Sequence, residues 1–243
     1  MKYLIIDAGN TRVKVVVFEE DSLLEEQICT GDSLQETFSD FFLRHHFSRA
    51  ILSSVGGLTS EIQALLPKDL PLLLLSNTTK VPFKNFYRTP KTLGVDRIAL
   101  VSAASTQFAR RNVLVIDAGT CVTFEFINAD NEYLGGAISP GLEMRYAALG
   151  RFTEKLPKLA FESPKELIGN DTESCMHSGV VNGLVFEIEG IIDSYQEQFS
   201  DLTIVLTGGD TNYLSKRLKN SIFANPNFLL EGLNAILKHN THE

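Results

Sequence analysis

The sequence YLIIDAGNTRVKVVVF at residues 3–18 decides how the fold of this chain is interpreted. An apolar run ends in the acidic, small-residue turn at residues 7–11, and a second β-rich run follows at residues 13–18. Two short β-rich runs joined by a polar turn that contains glycine predict a β-hairpin. Such a turn can bring backbone N–H groups, a hydroxyl and a carboxylate together, which suits a nucleotide phosphate and its metal ion. Alone, the turn does not distinguish a phosphate site from an ordinary hairpin.

The same pattern returns in the sequence VLVIDAGTCVTFEFI at residues 113–127. Asp7 aligns with Asp117 at an offset of 110 residues, and omission of Asn10 aligns Thr11 with Thr120. This repeat is longer than a solenoid unit, so it predicts two lobes that each open with the same hairpin. We place the N-terminal lobe at residues 1–111 and the C-terminal lobe at residues 112–243. Two such turns that face each other across a cleft would hold a triphosphate from both sides.

The bulk composition limits the classes of protein to which the chain can belong. With 44% hydrophobic and 21% charged residues, it resembles an ordinary globular protein. The net charge of −8 argues against a nucleic-acid partner, because phosphate backbones are bound mainly by clustered Lys and Arg. No apolar run is long enough to span a bilayer, and the N-terminus lacks a signal-peptide pattern. We therefore expect a cytoplasmic protein with no membrane partner.

Between and after the hairpins, strand-like and helix-like segments alternate, which predicts an α/β fold. Residues 77–92 lack periodicity and form a long connection of the kind that often carries function. This connection leads to the sequence GVDR at residues 94–97, where Asp96 is either a simple helix start or a functional acid. The helix expected at residues 176–199 is apolar on more than one stripe, which indicates packing on two sides, including against a second subunit.

Three common motifs are absent from the sequence. There is no GxxxxGK(S/T) loop, no GxGxxG after a strand and no GxSxG, so a P-loop kinase, a Rossmann dehydrogenase and an α/β-hydrolase are not indicated. Phosphoryl chemistry in this chain would therefore depend on the two acidic turns.

The paired turns resemble those of the actin-like ATPase superfamily, which includes sugar kinases, acetate kinase and heat-shock ATPases. Within it, the chain is similar to the type III pantothenate kinases over nearly its whole length. The motifs that carry this resemblance occur in the family's order: DAGNT at residues 7–11, Tyr87 followed by GVDR at 94–97, DAGT at 117–120, GGAISPG at 135–141, GNDT at 169–172 and TGGD at 207–210. The resemblance implies a duplicated ribonuclease H-like fold, with a mixed β-sheet flanked by helices in each lobe and the active site in the cleft between the lobes.

The resemblance also implies a role for each residue that matches the family's motifs. The residues expected to bind the ATP phosphates are Asp7, Ala8, Gly9, Asn10, Thr11, Arg12, Val13, Lys14 and, from the opposite lobe, Thr120. Mg²⁺ would accompany ATP, and Asp117 would hold a monovalent cation, K⁺ or NH₄⁺. Asp96 would be the general base toward the primary hydroxyl of pantothenate. The residues expected to line the pantothenate site are Tyr87, Gly94, Val95, Asp96, Arg97 and, from the partner subunit of a homodimer, Thr172.

The implied activity is the phosphorylation of pantothenate by ATP, which gives 4′-phosphopantothenate and ADP in the first step of coenzyme A biosynthesis. Two alternatives remain open at this point. The chain could be a kinase of another small hydroxylated acid or sugar, in which case the segment from Tyr87 to Arg97 would serve a different acceptor. It could also be a non-catalytic actin-like ATP-binding regulator, although a regulator has no need for a base at the position of Asp96.

Overall fold

The computed structural model describes residues 1–9, 12–54 and 57–241, which belong to two compact units. The first unit comprises Met1–Ala109 together with Phe228–Glu243, and the second comprises Arg110–Asn227. Each unit therefore begins with one of the two repeated hairpins. Among the described residues, no helix combines the length and the apolar character that a bilayer crossing requires.

The first unit is built on a five-stranded mixed sheet. Its elements before residue 109 are β1 (Lys2–Ala8), β2 (Val13–Glu19), β3 (Ser22–Cys29), a 3-10 turn (Gly31–Ser33), α1 (Leu34–Arg44), β4 (Arg49–Ser54), α2 (Thr59–Leu65), β5 (Leu72–Leu74), β6 (Lys84–Asn85), a second 3-10 turn (Pro90–Thr92) and α3 (Val95–Gln107). The sheet order is β3-β2-β1-β4-β5. β1, β2 and β3 form an antiparallel meander, whereas β4 and β5 continue the sheet in parallel from β1. One face of β1 packs on the apolar stripe of α1, with Leu4 and Ile6 beside Phe38 and Phe41.

The second unit repeats this plan. Its elements are β7 (Asn112–Ala118), β8 (Cys121–Ile127), β9 (Glu132–Pro140), α4 (Leu142–Phe152), α5 (Thr172–His177), a π-helical segment (Ser178–Asn182), α6 (Gly183–Gln198), β10 (Leu202–Thr207), α7 (Thr211–Leu214) and β11 (Phe223–Ala224). Within this unit the strand order is β11-β10-β7-β8-β9, again with an antiparallel meander and two parallel strands. The duplicated fold expected from the repeated hairpin is therefore present. The helix predicted at residues 176–199 is observed as α5, the π-helical segment and α6.

The last helix, α8 (Phe228–His239), packs on α3 in the first unit. Asn234 Nδ2 donates a 2.7 Å hydrogen bond to the carbonyl of Glu20, and Lys238 forms a 2.6 Å ion pair with Asp21. The predicted lobe boundary placed this helix in residues 112–243, whereas the structure groups it with residues 1–109. The difference arises because contacts between residues more than 200 positions apart decide its place, and such contacts leave no local pattern in the sequence.

Candidate active site

Asp7 lies near the end of β1, the central strand of the first sheet. In the register of the sheet it stands opposite Lys14 on β2 and Ser53 on β4. Burial raises the pKa of Asp7 to about 6; Lys14 and the Ser53 hydroxyl oppose this rise, and the charge of Asp96 adds to it. A carboxyl group with such a pKa changes its charge readily when a cation binds nearby.

Asp96 is the second residue of α3, after the N-cap residue Gly94. Its Oδ1 accepts a 2.8 Å hydrogen bond from the backbone N–H of Arg97, so it stabilises the first turn of the helix. The helix start, one of the two roles that the sequence left open for this acid, is therefore observed, and its role as a functional acid stays a prediction. It begins a helix, and it does so within electrostatic reach of Asp7.

The predicted pantothenate residues gather at this same helix start. Arg97 is buried, and its guanidinium carbon lies 5.3 Å from the centre of the Tyr87 ring, in a cation–π arrangement. The connection that carries Tyr87 is fastened by Asn77, whose amide donates to the carbonyls of Pro90 and Leu93 at 2.9 and 3.0 Å. Residues 77–94, which lack a periodic pattern, thus form an ordered segment. Gly94 and Val95 are partly exposed beside the buried Arg97.

The predicted phosphate-binding turn is closed by a 3.0 Å hydrogen bond from the N–H of Gly9 to the carbonyl of Arg12. Arg12 is exposed, whereas Ala8 and Val13 are buried in the core and can offer a ligand only their backbone groups. Lys14 forms a 3.8 Å ion pair with Glu26 at the partly exposed edge of this turn, a kind of pair that contributes little to stability. The predicted ligands Asn10 and Thr11 lie outside the described residues.

Asp117 occupies the matching position at the end of β7 in the second unit. It stands opposite Thr123 on β8 and Thr207 on β10. Gly208, whose φ is +95°, lies against the Asp117 side chain: a Cβ at position 208 would lie 2.4 Å from Asp117 Oδ1. Thr120, predicted to contact ATP, is exposed, and its carbonyl accepts a 3.1 Å hydrogen bond from the N–H of Gly141. The two repeats of the motif therefore place an acid at the same position of the central strand, with different neighbours in the two copies.

The loop after β10 adds a second acid to this part of the second unit. Burial raises the pKa of Asp210, and the charge of Glu143 adds to the effect. The N–H of Asp210 donates a 3.0 Å hydrogen bond to the carbonyl of Ala118, which fixes the loop against the end of β7. The sequence analysis included Asp210 in the TGGD motif but did not identify Glu143, the second residue of α4.

A hydroxyl residue stands in register with each of the two central acids, Ser53 with Asp7 and Thr123 with Asp117. Within the described part of the chain, Ser53 Oγ and Thr123 Oγ1 are buried and make no hydrogen bond of ordinary geometry. Buried polar atoms are normally satisfied, so each oxygen is available to a ligand or ion. These positions fit a cation that needs oxygen ligands. Among residues 1–9, 12–54 and 57–241, no three His, Cys, Asp or Glu side chains form a metal-binding group.

Sequence reasoning missed Ser53, although a signal for it exists. The carboxyl ends of neighbouring parallel strands form the ligand-binding edge of α/β sheets. Once β4 is paired in parallel with β1, Ser53 follows as the neighbour of Asp7. That pairing joins strands more than 40 residues apart and could not be assigned from periodicity alone.

Thr172, the predicted partner-subunit contact, is the first residue of α5 and is exposed. The preceding Asp171 caps the helix: its Oδ1 accepts a 2.8 Å hydrogen bond from the N–H of Ser174. The GNDT motif is thus a helix start that presents the Thr172 hydroxyl to solvent.

Comparison with solved structures supports the fold. The chain superposes on a conserved protein from Campylobacter jejuni described as a Baf family transcriptional activator, with a TM-score of 0.65 and 20% identity over 99% of this chain and 100% of the other. It also superposes on the inorganic polyphosphate/ATP-glucomannokinase of Arthrobacter sp. strain KM, with a TM-score of 0.51 and 14% identity over 98% and 99% of the two chains. At this level of identity the likeness concerns the fold alone, and it agrees with the duplicated α/β architecture of actin-like kinases.

Comparison of sequences identifies the family as well as the fold. The chain is 50% identical to the type III pantothenate kinase of Christiangramia forsetii over 98% of both chains, and 46% identical to that of Flavobacterium johnsoniae over 95% of both. It is 41% identical to the Bacteroides fragilis protein of the same name over 98% of both. The family model described as type III pantothenate kinase matches residues 3–194. The chain belongs to the type III pantothenate kinase family.

Proposed function

We propose that the chain transfers the γ-phosphoryl group of ATP to the primary hydroxyl of pantothenate, forming 4′-phosphopantothenate and ADP in the first step of coenzyme A biosynthesis. Membership of the type III pantothenate kinase family supports this activity. The single structural observation that supports its mechanism is the place of Asp96 at a helix start, where its charge acts on Asp7 and the next residue, Arg97, lies over Tyr87. We place this reaction in the cytoplasm, where ATP is abundant.

In the proposed reaction Asp96 is the general base. It accepts the proton of the pantothenate hydroxyl as the hydroxyl oxygen forms a bond to the γ-phosphorus, and the bond from that phosphorus to the bridging oxygen of ADP breaks. Phosphoryl transfer mainly requires that the protein align the two substrates and neutralise the charge on the transferred group. A base held in place at a helix start therefore suits this reaction. The hydrogen bond from Arg97 N–H keeps the carboxylate in place.

Substrate positioning in this proposal falls to the groups around Asp96. The Arg97 guanidinium lies over the Tyr87 ring, and a guanidinium suits the carboxylate of pantothenate. Lys14 and the backbone of the turn at Gly9 would hold the ATP phosphates, with Asn10, Thr11 and Thr120 as further contacts. Asp7 and Ser53 would face the Mg²⁺ that accompanies ATP, because Mg²⁺ commonly takes one or two protein oxygens together with phosphate and water. When bound, this ion neutralises the charge that develops on the transferred group.

We further propose that Asp117 holds a monovalent cation, K⁺ or NH₄⁺. The support is the set of oxygen groups beside it, above all Thr123 Oγ1, a buried atom that otherwise makes no hydrogen bond within the described chain. Activity should therefore depend on added K⁺ in wild-type protein. In Asp117→Asn, half-maximal activity should require at least about tenfold more K⁺, because the variant loses a charge-assisted ligand.

We also propose that the active form is a homodimer in which Thr172 of one subunit contacts pantothenate bound to the other. The exposed position of this residue at the start of α5 is compatible with that role. Apolar side chains exposed on and near α6 offer a surface for the second subunit, notably Phe186, Leu167 and Ile168.

The substrate is tested by offering purified protein ATP, Mg²⁺ and K⁺ with pantothenate or with other hydroxylated acids and sugars. We expect ADP to form with pantothenate and not with the others. Faster turnover of a sugar would replace the assignment with a sugar kinase. Tight binding of ATP without ADP formation on any acceptor would instead indicate a regulator.

A further inference from the structure

The helix that follows Thr172 is interrupted by a π-helical segment at Ser178–Asn182. Such segments are rare and occur frequently at functional sites, because they sacrifice regular backbone hydrogen bonding to re-aim side chains. Here the segment turns two polar side chains, Ser178 and Asn182, into the interior, where they are 9% and 8% exposed. Buried polar side chains in a helix need a compensating function, either structural or catalytic.

These two side chains form a directed chain of hydrogen bonds. Arg217 donates from Nη2 to Asn182 Oδ1 at 2.5 Å, and Asn182 donates from Nδ2 to Ser178 Oγ at 3.1 Å. Ser178 then donates from Oγ to the carbonyl of Leu167 at 2.5 Å. Because a guanidinium can only donate, it determines which way the amide of Asn182 points, and the amide in turn determines which way the Ser178 hydroxyl points. The chain therefore ends on one specific backbone carbonyl.

That carbonyl lies in the segment that leads into Thr172. Within one subunit Leu167 and Ile168 are 66% and 83% exposed, so burial inside the subunit does little to hold this segment. One hydrogen bond and one close backbone contact hold it instead. The Ser178 hydroxyl fixes Leu167, and Gly169 lies so close to the start of α5 that a Cβ on it would be 2.3 Å from the backbone nitrogen of Cys175.

We propose that Ser178 and Asn182 are positioning residues for pantothenate binding. Through the Leu167 carbonyl they fix the entry to α5, and thereby the place at which Thr172 is presented. This inference rests on the proposed contact of Thr172 with pantothenate. It assigns the π-helical segment to acceptor binding and leaves ATP binding and phosphoryl transfer to other parts of the chain.

The test is a comparison of steady-state kinetics for Ser178→Ala and Asn182→Leu with the wild type. Each substitution removes two hydrogen bonds of the chain that orders the substrate contact, and should raise KM for pantothenate about tenfold. We expect kcat and KM for ATP to stay within about twofold of the wild type. Ser194→Ala is the matched control, because it removes a hydroxyl from α6 that bonds only the carbonyl of Gly190 and is exposed.

Two further measurements separate positioning from a purely structural role. In a Thr172→Ala background the effect of Ser178→Ala on KM for pantothenate should disappear, since both act on one contact. Amide hydrogen exchange in residues 167–172 should be faster in Ser178→Ala than in the wild type, with the exchange of α6 unchanged. Unchanged exchange, an unchanged KM for pantothenate, or a full effect in the Thr172→Ala background would each overturn the proposal. Failure of the wild type to phosphorylate pantothenate would overturn the proposed function itself, and the exchange data would still show whether the hydrogen-bond chain holds the segment.

Discussion

Asp7 and Asp96 have different surroundings. Asp7 lies near the end of a buried central strand, and removal from water raises its pKa to about 6. Asp96 lies in the first turn of α3, where its Oδ1 accepts a hydrogen bond from the N–H of Arg97. Since the charge of Asp96 also raises the pKa of Asp7, binding of a cation at Asp7 should release a proton in mildly acidic solution.

The raised pKa of Asp7 predicts that this residue costs the protein stability. The folded value of about 6 lies above the ordinary value of 3.8, so ionisation opposes folding as the pH rises between the two. Asp7→Asn should therefore stabilise the protein above pH 6 by up to about 3 kcal/mol, from roughly two pKa units at about 1.4 kcal/mol each. Below about pH 4 this gain should disappear, because Asp7 is then protonated in both states. Denaturant unfolding at pH 7.5 and at pH 4 measures the difference.

Asp40→Asn provides the control for this prediction. Asp40 is exposed and its pKa is lowered by Arg44, so its neutralisation should not stabilise the protein at pH 7.5. A loss of stability in Asp7→Asn at pH 7.5 would contradict the account of the buried acid.

At the scale of elements, the two hairpins were predictable from sequence because their information is local. An apolar run, a small-residue turn and a second β-rich run define β1–β2 and β7–β8, and the structure confirms both. The place of α8 was not predictable, since it depends on contacts such as Asn234 with Glu20 across most of the chain. The π-helical segment was not predictable either, because the sequence of its residues fits an ordinary α-helix. Ser53 emerges only from the pairing of β4 with β1.

The turn after β10 carries an element-level prediction at Gly208. Its φ of +95° is costly for any other residue, and a Cβ would press on Asp117 Oδ1 and on the carbonyl of Ala118 at 2.4 Å. Gly208→Ala should therefore destabilise the protein by about 1–3 kcal/mol and raise the K⁺ concentration needed for half-maximal activity. Thermal unfolding and K⁺ titration of activity measure these two effects.

Gly209→Ala is the matched control for that substitution. A Cβ on Gly209 meets nothing within 4 Å, and the residue does not have a positive φ. Equal destabilisation of the two variants would show that the loop tolerates no side chain at all, and the specific role of Gly208 beside Asp117 would be wrong.

At the scale of the whole molecule, the duplicated fold carries different chemistry in its two copies. The central acid of the first sheet stands opposite an ammonium group, Lys14, whereas the central acid of the second stands opposite a hydroxyl, Thr123. Asp117 is half-buried and stands in register with two threonines and no ammonium group, and alcohol and carboxylate oxygens are ligands for hard cations. The proposed use of K⁺ or NH₄⁺ thus follows from one difference between two otherwise equivalent hairpins.

The proposed dimer predicts complementation between two inactive variants. A mixed dimer of Asp96→Asn and Thr172→Ala subunits contains one site with both substitutions and one intact site. Equal mixing with subunit exchange should therefore restore about a quarter of wild-type activity, because half of the dimers are mixed and each has one working site. Activity is measured before and after mixing, at a pantothenate concentration at which each variant alone is nearly inactive. No gain on mixing, although mixed dimers form, would show that each site belongs to a single subunit.

The claim on which the account depends most is that Asp96 is the base for phosphorylation of pantothenate. The most direct measurement is formation of 4′-phosphopantothenate, followed by phosphorus NMR, in wild type, Asp96→Asn and the control Glu36→Gln, which neutralises an acid in the first turn of α1. We expect kcat of Asp96→Asn to fall by about two orders of magnitude or more, with ATP still bound, and Glu36→Gln to match the wild type. Wild-type rates in Asp96→Asn, or phosphorylation of an acceptor other than pantothenate, would contradict the account.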